Sequence, residues 1–312
     1  MNNSHIAIGI DIGGSHISCG AVDLKINQLL DGTCFESEVD NKASADDIFK
    51  SWLQAINKTI SKVGISQVAG IGFAMPGPFD YAKGIGLFER NEKYLHLYGV
   101  NVVAEIRSRL GLPDSFPVRF INDATAFAVS EAWIGVGKPY SKLIALTLGT
   151  GFGSAFISEG IPVIEGETVP QYGCVWHLPF GDCIADDYFS TRWFEKSYLK
   201  LSGRKVKGVK EISDLFDSDE IARKLLIEYG SNMGDFLAPW IKKFGAQHIV
   251  IGGNITGAYN KFGKYLEQSL KNQQVDCGVS LSVLKENAAI IGSARLIDAE
   301  FFAKVKELLP KM

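Results

Sequence analysis

Residues 6–23 read IAIGIDIGGSHISCGAVD: an apolar strand, an acid, two glycines and a serine, then a second apolar run. Ile6–Ile12 reads as a buried strand and Ser15–Asp23 as its hairpin partner, joined through Gly13 and Gly14. The same cadence returns in residues 143–158, LIALTLGTGFGSAFIS, as a strand Leu143–Leu148, a glycine turn Gly149–Gly153 and a return strand Ser154–Ser158. A hairpin that turns through glycines points successive backbone N–H groups outward with no side chain to screen them, and such a concavity attracts anions. Glycine also permits positive φ and the close approach of a bulky ligand. Either turn alone reads equally well as a tight hairpin, because short glycine patterns carry little information. Together they point to phosphate binding by Gly13, Gly14 and Ser15 on one side and Gly149, Thr150, Gly151 and Gly153 on the other. Asp11, ending the first strand, is placed to hold Mg²⁺ through water, since Mg²⁺ takes few protein carboxylates directly.

Working outward, Cys34–Asp40 reads as a third strand, and Ala45–Val63 as a helix with Ile48, Trp52, Ile56 and Ile60 at intervals of four. Val68–Phe73 is a strand that runs into Met75-Pro76-Gly77-Pro78, which must turn because proline cannot continue a ladder. Val100–Leu110 reads as a helix, Val118–Ile121 as a strand and Ala124–Ile134 as a helix with a small-residue face. In the second half, Leu225–Lys243 reads as one or two helices, His248–Ile251 as a strand, Lys261–Leu270 as a helix and Val279–Leu284 as a strand. A long terminal helix is expected from Gly292-Ser293 to about Leu309. Strand-strand-helix units in both halves imply an internally duplicated α/β architecture.

The chain has 312 residues, enough for two domains with their own cores. It is 46% hydrophobic and 21% charged with a net charge of −3, an ordinary globular composition. Lys and Arg are scattered, without the basic stripe that nucleic-acid binding needs. No apolar run is long enough to span a bilayer, and the N-terminus lacks a basic segment followed by an apolar one, so a cytoplasmic protein is expected. The five cysteines, Cys19, Cys34, Cys174, Cys183 and Cys277, have no close pairing, which fits reduced thiols.

Two further features bear on chemistry. Residues 248–257, HIVIGGNITG, break a strand at Gly252-Gly253 ahead of Asn254; a wall without side chains there would accept a base or ribose, and an ordinary strand–turn–helix explains it equally. Asp123 follows the strand Val118–Ile121 and opens a helix. Phosphoryl transfer to a hydroxyl needs positioning, charge neutralisation and a base near the attacking oxygen, and a carboxylate at a strand end meets the last need. An N-cap role meets the same pattern.

GIDIGGSHISCGAVD, INDATAFAVSEAWIG, LTLGTGFGSAF and IVIGGNI occur in this order over nearly the whole chain. Together they resemble the actin-like ATPase superfamily and, within it, the ROK family of bacterial sugar kinases and repressors. The resemblance implies a two-lobed α/β fold of duplicated RNase H-like domains with an interdomain cleft holding ATP, Mg²⁺ and a sugar. Residues 1–122 would form the sugar-side lobe, completed by a C-terminal helix 293–312, and residues 123–292 the nucleotide-side lobe. In such proteins the aspartate matching Asp123 is the general base and the asparagine matching Asn122 touches the sugar. Pro76, Gly77 and Asn91 would line the sugar side, though Asn91 equally suits an exposed loop. Gly252, Gly253 and Asn254 would flank the nucleotide.

The pattern fails in one stretch. Family members carry Gly-Glu-x-Gly-His followed by a cysteine cluster that holds Zn²⁺; here the match is residues 172–190, YGCVWHLPFGDCIADDYFS. His177 remains, Cys174 replaces the glutamate, Trp176 replaces the glycine, and only Cys183 follows, so four tetrahedral ligands cannot be assembled and no structural zinc is expected. A second family glutamate maps to Asp186, making His177 and Asp186 the expected sugar contacts. Tyr172 and Trp176 would either offer a sugar an aromatic face or pack in the interior. The resemblance therefore implies an ATP-dependent, glucokinase-like kinase of a hexose or amino sugar. A polyphosphate-using glucokinase and a catalytically silent sensor stay open, as does a non-ROK N-acetylglucosamine kinase or acetate-type kinase. With the first strand beginning at Ile6, a repressor's N-terminal DNA-binding domain is not expected. The expected partners are a sugar and ATP, with neither nucleic acid nor membrane; a homodimer is compatible with the family.

Overall fold

A computed structural model describes residues 4–89 and 93–312. In chain order the elements are β1 (Ile6–Ile12), β2 (His16–Asp23), β3 (Gln28–Leu29), β4 (Phe35–Glu38), α1 (Ala45–Val63), β5 (Val68–Met75), β6 (Phe79–Asp80) and β7 (Ile85–Gly86). There follow α2 (Val102–Leu110), β8 (Val118–Asn122), α3 (Asp123–Trp133), β9 (Lys142–Leu148), β10 (Phe152–Ser158), β11 (Ile161–Pro162), β12 (Pro179–Phe180) and β13 (Cys183–Ile184). The rest comprises α4 (Ala185–Tyr188), α5 (Thr191–Ser202), α6 (Gly208–Asp214), α7 (Glu220–Phe244), β14 (His248–Gly252), α8 (Tyr259–Asn272), β15 (Gly278–Leu281), α9 (Asn287–Ala294) and α10 (Ala299–Val305).

Two compact units result: residues 1–130 with 286–312, and residues 131–285. The first carries a sheet in the order β3-β2-β1-β5-β8, with β4 also paired to β2. The second carries β11-β10-β9-β14-β15. In each, an antiparallel hairpin (β1–β2, β9–β10) is extended by two parallel strands (β5 and β8, β14 and β15). The repeated glycine cadence is thus one repeated topology, the duplication expected from sequence.

In the first unit α1 lays Ile48, Phe49, Trp52, Ala55 and Ile56 onto the sheet, fixed at its start by Ser44, whose side chain accepts from the Asp47 N–H. α9 also packs on this sheet, where only small residues fit. A Cβ added to Gly9 would lie 1.9 Å from the Ile290 carbonyl oxygen, and one on Gly72 would lie 1.9 Å from that of Ser293. The buried Ser293 hydroxyl accepts from the Ile10 N–H at 3.0 Å. In the second unit the core gathers Phe152, Phe189, Phe194, Tyr229 and Phe236 beneath β9, β10 and β14. The 25-residue α7 runs unbroken through Pro239, one helix where sequence allowed two.

Two expectations about boundaries change. The division falls inside α3 and just before α9, so Asp123 and the whole of α9 belong with the first unit, not at 122/123 and 292/293. Close packing of α9 on β1 and β5, and of Gly292 on the Ala126 carbonyl of α3, explains this. Nor is there one C-terminal helix over 293–312: α9 ends at Ala294, a short turn covers Arg295–Ile297, and Asp298 caps α10 by accepting from the Phe301 N–H at 2.6 Å. An Asp that captures a backbone donor three residues on starts a new helix instead of continuing the old one.

Candidate active site

In the first unit three parallel neighbours, β1, β5 and β8, end at one edge: Asp11 lies beside Ala74, and Met75 beside Asn122. Asp11, the Pro76-Gly77 turn and the Asn122-Asp123 pair are thereby brought to the carboxyl ends of adjacent strands, where open α/β sheets place their ligands. Asn122 is the residue that caps α3; its Oδ1 accepts from the N–H and hydroxyl of Thr125 at 3.1 and 3.3 Å. Asp123 is the first residue of the helix instead, leaving its carboxylate for other work. That carboxylate accepts from the Ala124 N–H at 2.8 Å and from the Asn122 amide at 3.0 Å. The same amide reaches the Tyr81 hydroxyl at 3.3 Å, which in turn donates to the Met75 carbonyl at 3.1 Å. Asp123 is partly exposed to solvent. Burial pushes its pKa up, while these hydrogen bonds and the Lys93 ammonium pull it back. Asp11 is pushed up to about 7, first by burial and then by repulsion from the carboxylates of Asp123 and Glu286. Asn91 lies outside the described residues.

The β1–β2 turn is closed by the Gly13 N–H donating to the His16 carbonyl at 2.9 Å. Its carbonyls are tied from elsewhere: the Tyr94 hydroxyl donates to the Gly13 oxygen at 2.6 Å, and the Asn41 amide to the Gly14 oxygen. Among the described residues, the amides of Gly14 and Ser15 carry no hydrogen bond, so these two, and not Gly13, are the donors left for an anion. Neither glycine stands at positive φ; what the turn uses is the missing side chain.

In the second unit the β9–β10 turn repeats the design. The Gly149 N–H is spent on the Gly151 carbonyl at 3.0 Å, and the Phe152 N–H on the Asp186 carboxylate at 2.6 Å. The Gly149 carbonyl accepts from the N–H and hydroxyl of Thr191 at 2.8 and 2.9 Å, and the Thr150 carbonyl from Arg192 at 2.8 Å. Arg192 also pairs with Asp186 at 2.5 Å. Thr150 and Gly151 keep free amides among the described residues, and a Cβ on Gly149 would meet nothing within 4 Å. Gly153 sits one residue into β10. β14 lies beside β9, with Gly252 next to Thr147, so Gly252, Gly253 and Asn254 arrive at the same strand ends as the turn. Gly253 has to be glycine on two counts: φ is +87°, and a Cβ would lie 2.4 Å from the Leu148 oxygen.

Asp186, expected at the sugar, has both carboxylate oxygens engaged at this turn, where it acts as a brace. His177 is half-buried, with the Cys174 sulfur 3.8 Å from its Nδ1, and burial lowers its pKa. Tyr172 and Trp176 meet its ring edge-on at 6.0 and 5.4 Å. They are 50% and 45% exposed, so interior packing is not their role. Cys183 is exposed on the β12–β13 hairpin, and no group of three or more His, Cys, Asp or Glu among the described residues could hold a metal. No described helix is long and apolar enough to cross a membrane. The bracing residues Asn41, Tyr94, Thr191 and Arg192 escaped sequence reasoning because each acts at long range. Tyr94 lies 81 residues from the glycine it ties, and no spacing rule connects them.

Unscreened glycine turns stand at the strand ends of each of two α/β units of one topology, with Asp11 and Asp123 at the strand ends of the first. The model of the ROK family matches residues 7–300, and the chain belongs to that family. It is 27% identical to a glucokinase of Thermotoga maritima over 93% of this chain and 96% of that one. It is 25% identical to an N-acetyl-D-glucosamine kinase of Haemophilus influenzae, over 80% and 84% of the respective chains. A ROK hexokinase from Thermus thermophilus superimposes with a TM-score of 0.76 at 22% identity, covering 96% of this chain and 99% of that one. The fold is that of the solved ROK kinases.

Proposed function

We propose that the protein transfers the terminal phosphoryl group of ATP to a hydroxyl of a hexose or amino sugar. One observation carries this reading: Asn122 caps α3, so the partly exposed Asp123 carboxylate, held by the Ala124 N–H and the Asn122 amide, is not spent on the cap. Burial raises its pKa above the ordinary carboxylate value, which makes it a stronger base. Asp123 accepts the proton of the acceptor hydroxyl as the sugar oxygen bonds to the γ-phosphorus. The bond from that phosphorus to the bridging oxygen breaks, and its electron pair leaves with ADP. Asn122, Pro76 and Gly77 border the acceptor, with His177 and the exposed Tyr172 and Trp176 as further contacts. The free amides of Gly14, Ser15, Thr150 and Gly151 bind phosphate oxygens, and Gly252, Gly253 and Asn254 flank the nucleotide.

Mg²⁺ fits this site through Asp11. The carboxylates of Asp123 and Glu286 raise the cost of ionising Asp11, and a divalent cation offsets it. Mg²⁺ characteristically keeps its waters and takes one or two carboxylates plus substrate phosphates, so a full protein cage is not needed. When bound, the ion neutralises charge developing on the phosphates.

The glucokinase and N-acetylglucosamine kinase relatives support glucose and its 2-acetamido derivative as the first acceptors to try. Cys174, a weak hydrogen-bonding group where the family pattern has a glutamate, favours a second reading, a sensor that binds without turnover. An assay of sugar-phosphate formation over a hexose panel, with ATP or polyphosphate as donor, separates them. Turnover by the wild type and its loss in Asp123→Asn are expected; ATP binding without turnover on any sugar supports the sensor, and near-normal turnover by the variant removes Asp123 from its role.

A further inference from the structure

We infer that Lys93 is a catalytic cation of this site, contacting the phosphoryl group in transit between donor and acceptor; the inference rests on the kinase reading above. The first unit places its ammonium over the β1–β2 turn: a Cβ built on Gly14 would lie 3.1 Å from Lys93 Nζ. A phosphate oxygen held by the open amides of Gly14 and Ser15 comes within the ammonium's reach.

The position is built, not incidental. Tyr94, the next residue, donates its hydroxyl to the Gly13 carbonyl at 2.6 Å and its N–H to the Asn41 carbonyl at 2.8 Å. Asn41 in turn donates to the Gly14 carbonyl. The chain that carries Lys93 is therefore pinned at two points to the turn it overlies. Tyr94 holds a left-handed φ of 58°, a conformation uncommon outside glycine. Among the described residues no carboxylate lies within ion-pair distance of Lys93, and the side chain is exposed. Its field nonetheless reaches Asp123, drawing that carboxyl's pKa down. One ammonium thus lies near both the proposed base and the proposed phosphate donors, with no ion-pair partner among the described residues. Negative charge on the transferring oxygens is what such a cation stabilises, and catalysis of phosphoryl transfer rests mainly on that kind of stabilisation.

The test compares wild type, Lys93→Met and Lys93→Arg in steady-state kinetics with ATP and the best hexose, with melting temperature as the control for folding. Lys93→Met is expected to lower kcat on the order of 100-fold with the sugar KM within about twofold, as loss of one transition-state donor does. Lys93→Arg should retain most of the turnover, and added methylammonium should restore part of it to Lys93→Ala. A wild type inert on every sugar sinks the kinase reading and this inference together. An active wild type with Lys93→Met within threefold of it overturns the inference alone, as does a sugar KM effect that accounts for the whole loss. Equal losses in the Met and Arg variants, with no amine rescue, would overturn it too, because they would reveal a steric role.

Discussion

Replacing Asp11 by Asn should stabilise the empty protein above neutral pH while abolishing turnover. The Asp11 carboxyl rises from 3.8 in the unfolded chain to about 7 in the fold. Between those values the folded state holds a proton that the unfolded state has released, so stability falls as pH rises through that window. About three pKa units at 1.36 kcal/mol each make the ionised carboxylate a burden of about 4 kcal/mol at pH 8, as an upper estimate. At pH 5 the same linkage gives only about 1.5 kcal/mol, nearly all of it from ionisation of the unfolded chain. An asparagine carries no such term. The advantage of Asp11→Asn over wild type should therefore grow by about 2.5 kcal/mol between pH 5 and pH 8. Urea denaturation at the two pH values, without nucleotide or Mg²⁺, measures it. Parallel stability curves for the two proteins would refute the crowding of Asp11 by burial, Asp123 and Glu286. Adding Mg²⁺ with an ATP analogue should raise the wild type's melting point and leave the variant's nearly unchanged, because only the carboxylate helps to hold the ion.

Gly72→Ala should destabilise the first unit by about 3 kcal/mol or more, since the new methyl meets the Ser293 backbone at 1.9 Å and a helix must move; chemical denaturation reads this directly. Tyr94→Phe removes the hydroxyl tied to Gly13 and should cost about 1 kcal/mol in stability while raising the KM for ATP more than that for the sugar. Arg192→Ala frees both the Thr150 carbonyl and Asp186, and is expected to raise the KM for ATP about tenfold, the kinetic equivalent of about 1.4 kcal/mol. An unchanged KM for ATP in both variants would show that the turns hold their shape without these braces.

Local chemistry made the frame of this fold legible. The apolar runs 6–12 and 143–148, each ending in glycine, announced their hairpins, and the register of β1 with β2 and of β9 with β10 follows from them. Asp123 was singled out because an acid at a strand end is visible in sequence, but that Asn122 and not Asp123 caps α3 depends on Asn122 facing Thr125, which only coordinates reveal. The terminal segment misled because 293–309 is rich enough in helix formers to read as continuous, while Asp298 bonds its own backbone and breaks it. Trp176 and Tyr172 could be read either as a face for a sugar or as interior packing; exposure is a property of the surrounding chain, and hydrophobicity alone does not report it. Lys93 and the braces carry no motif at all, since their partners lie tens of residues away.

Transfer of label from ATP bearing radioactive phosphorus at the γ position tests the central claim most directly. Label should appear on glucose or N-acetylglucosamine with the wild type, in proportion to the ADP formed, and Asp123→Asn should transfer none while melting normally. Label released only as inorganic phosphate, or transferred equally well by the variant, would contradict it.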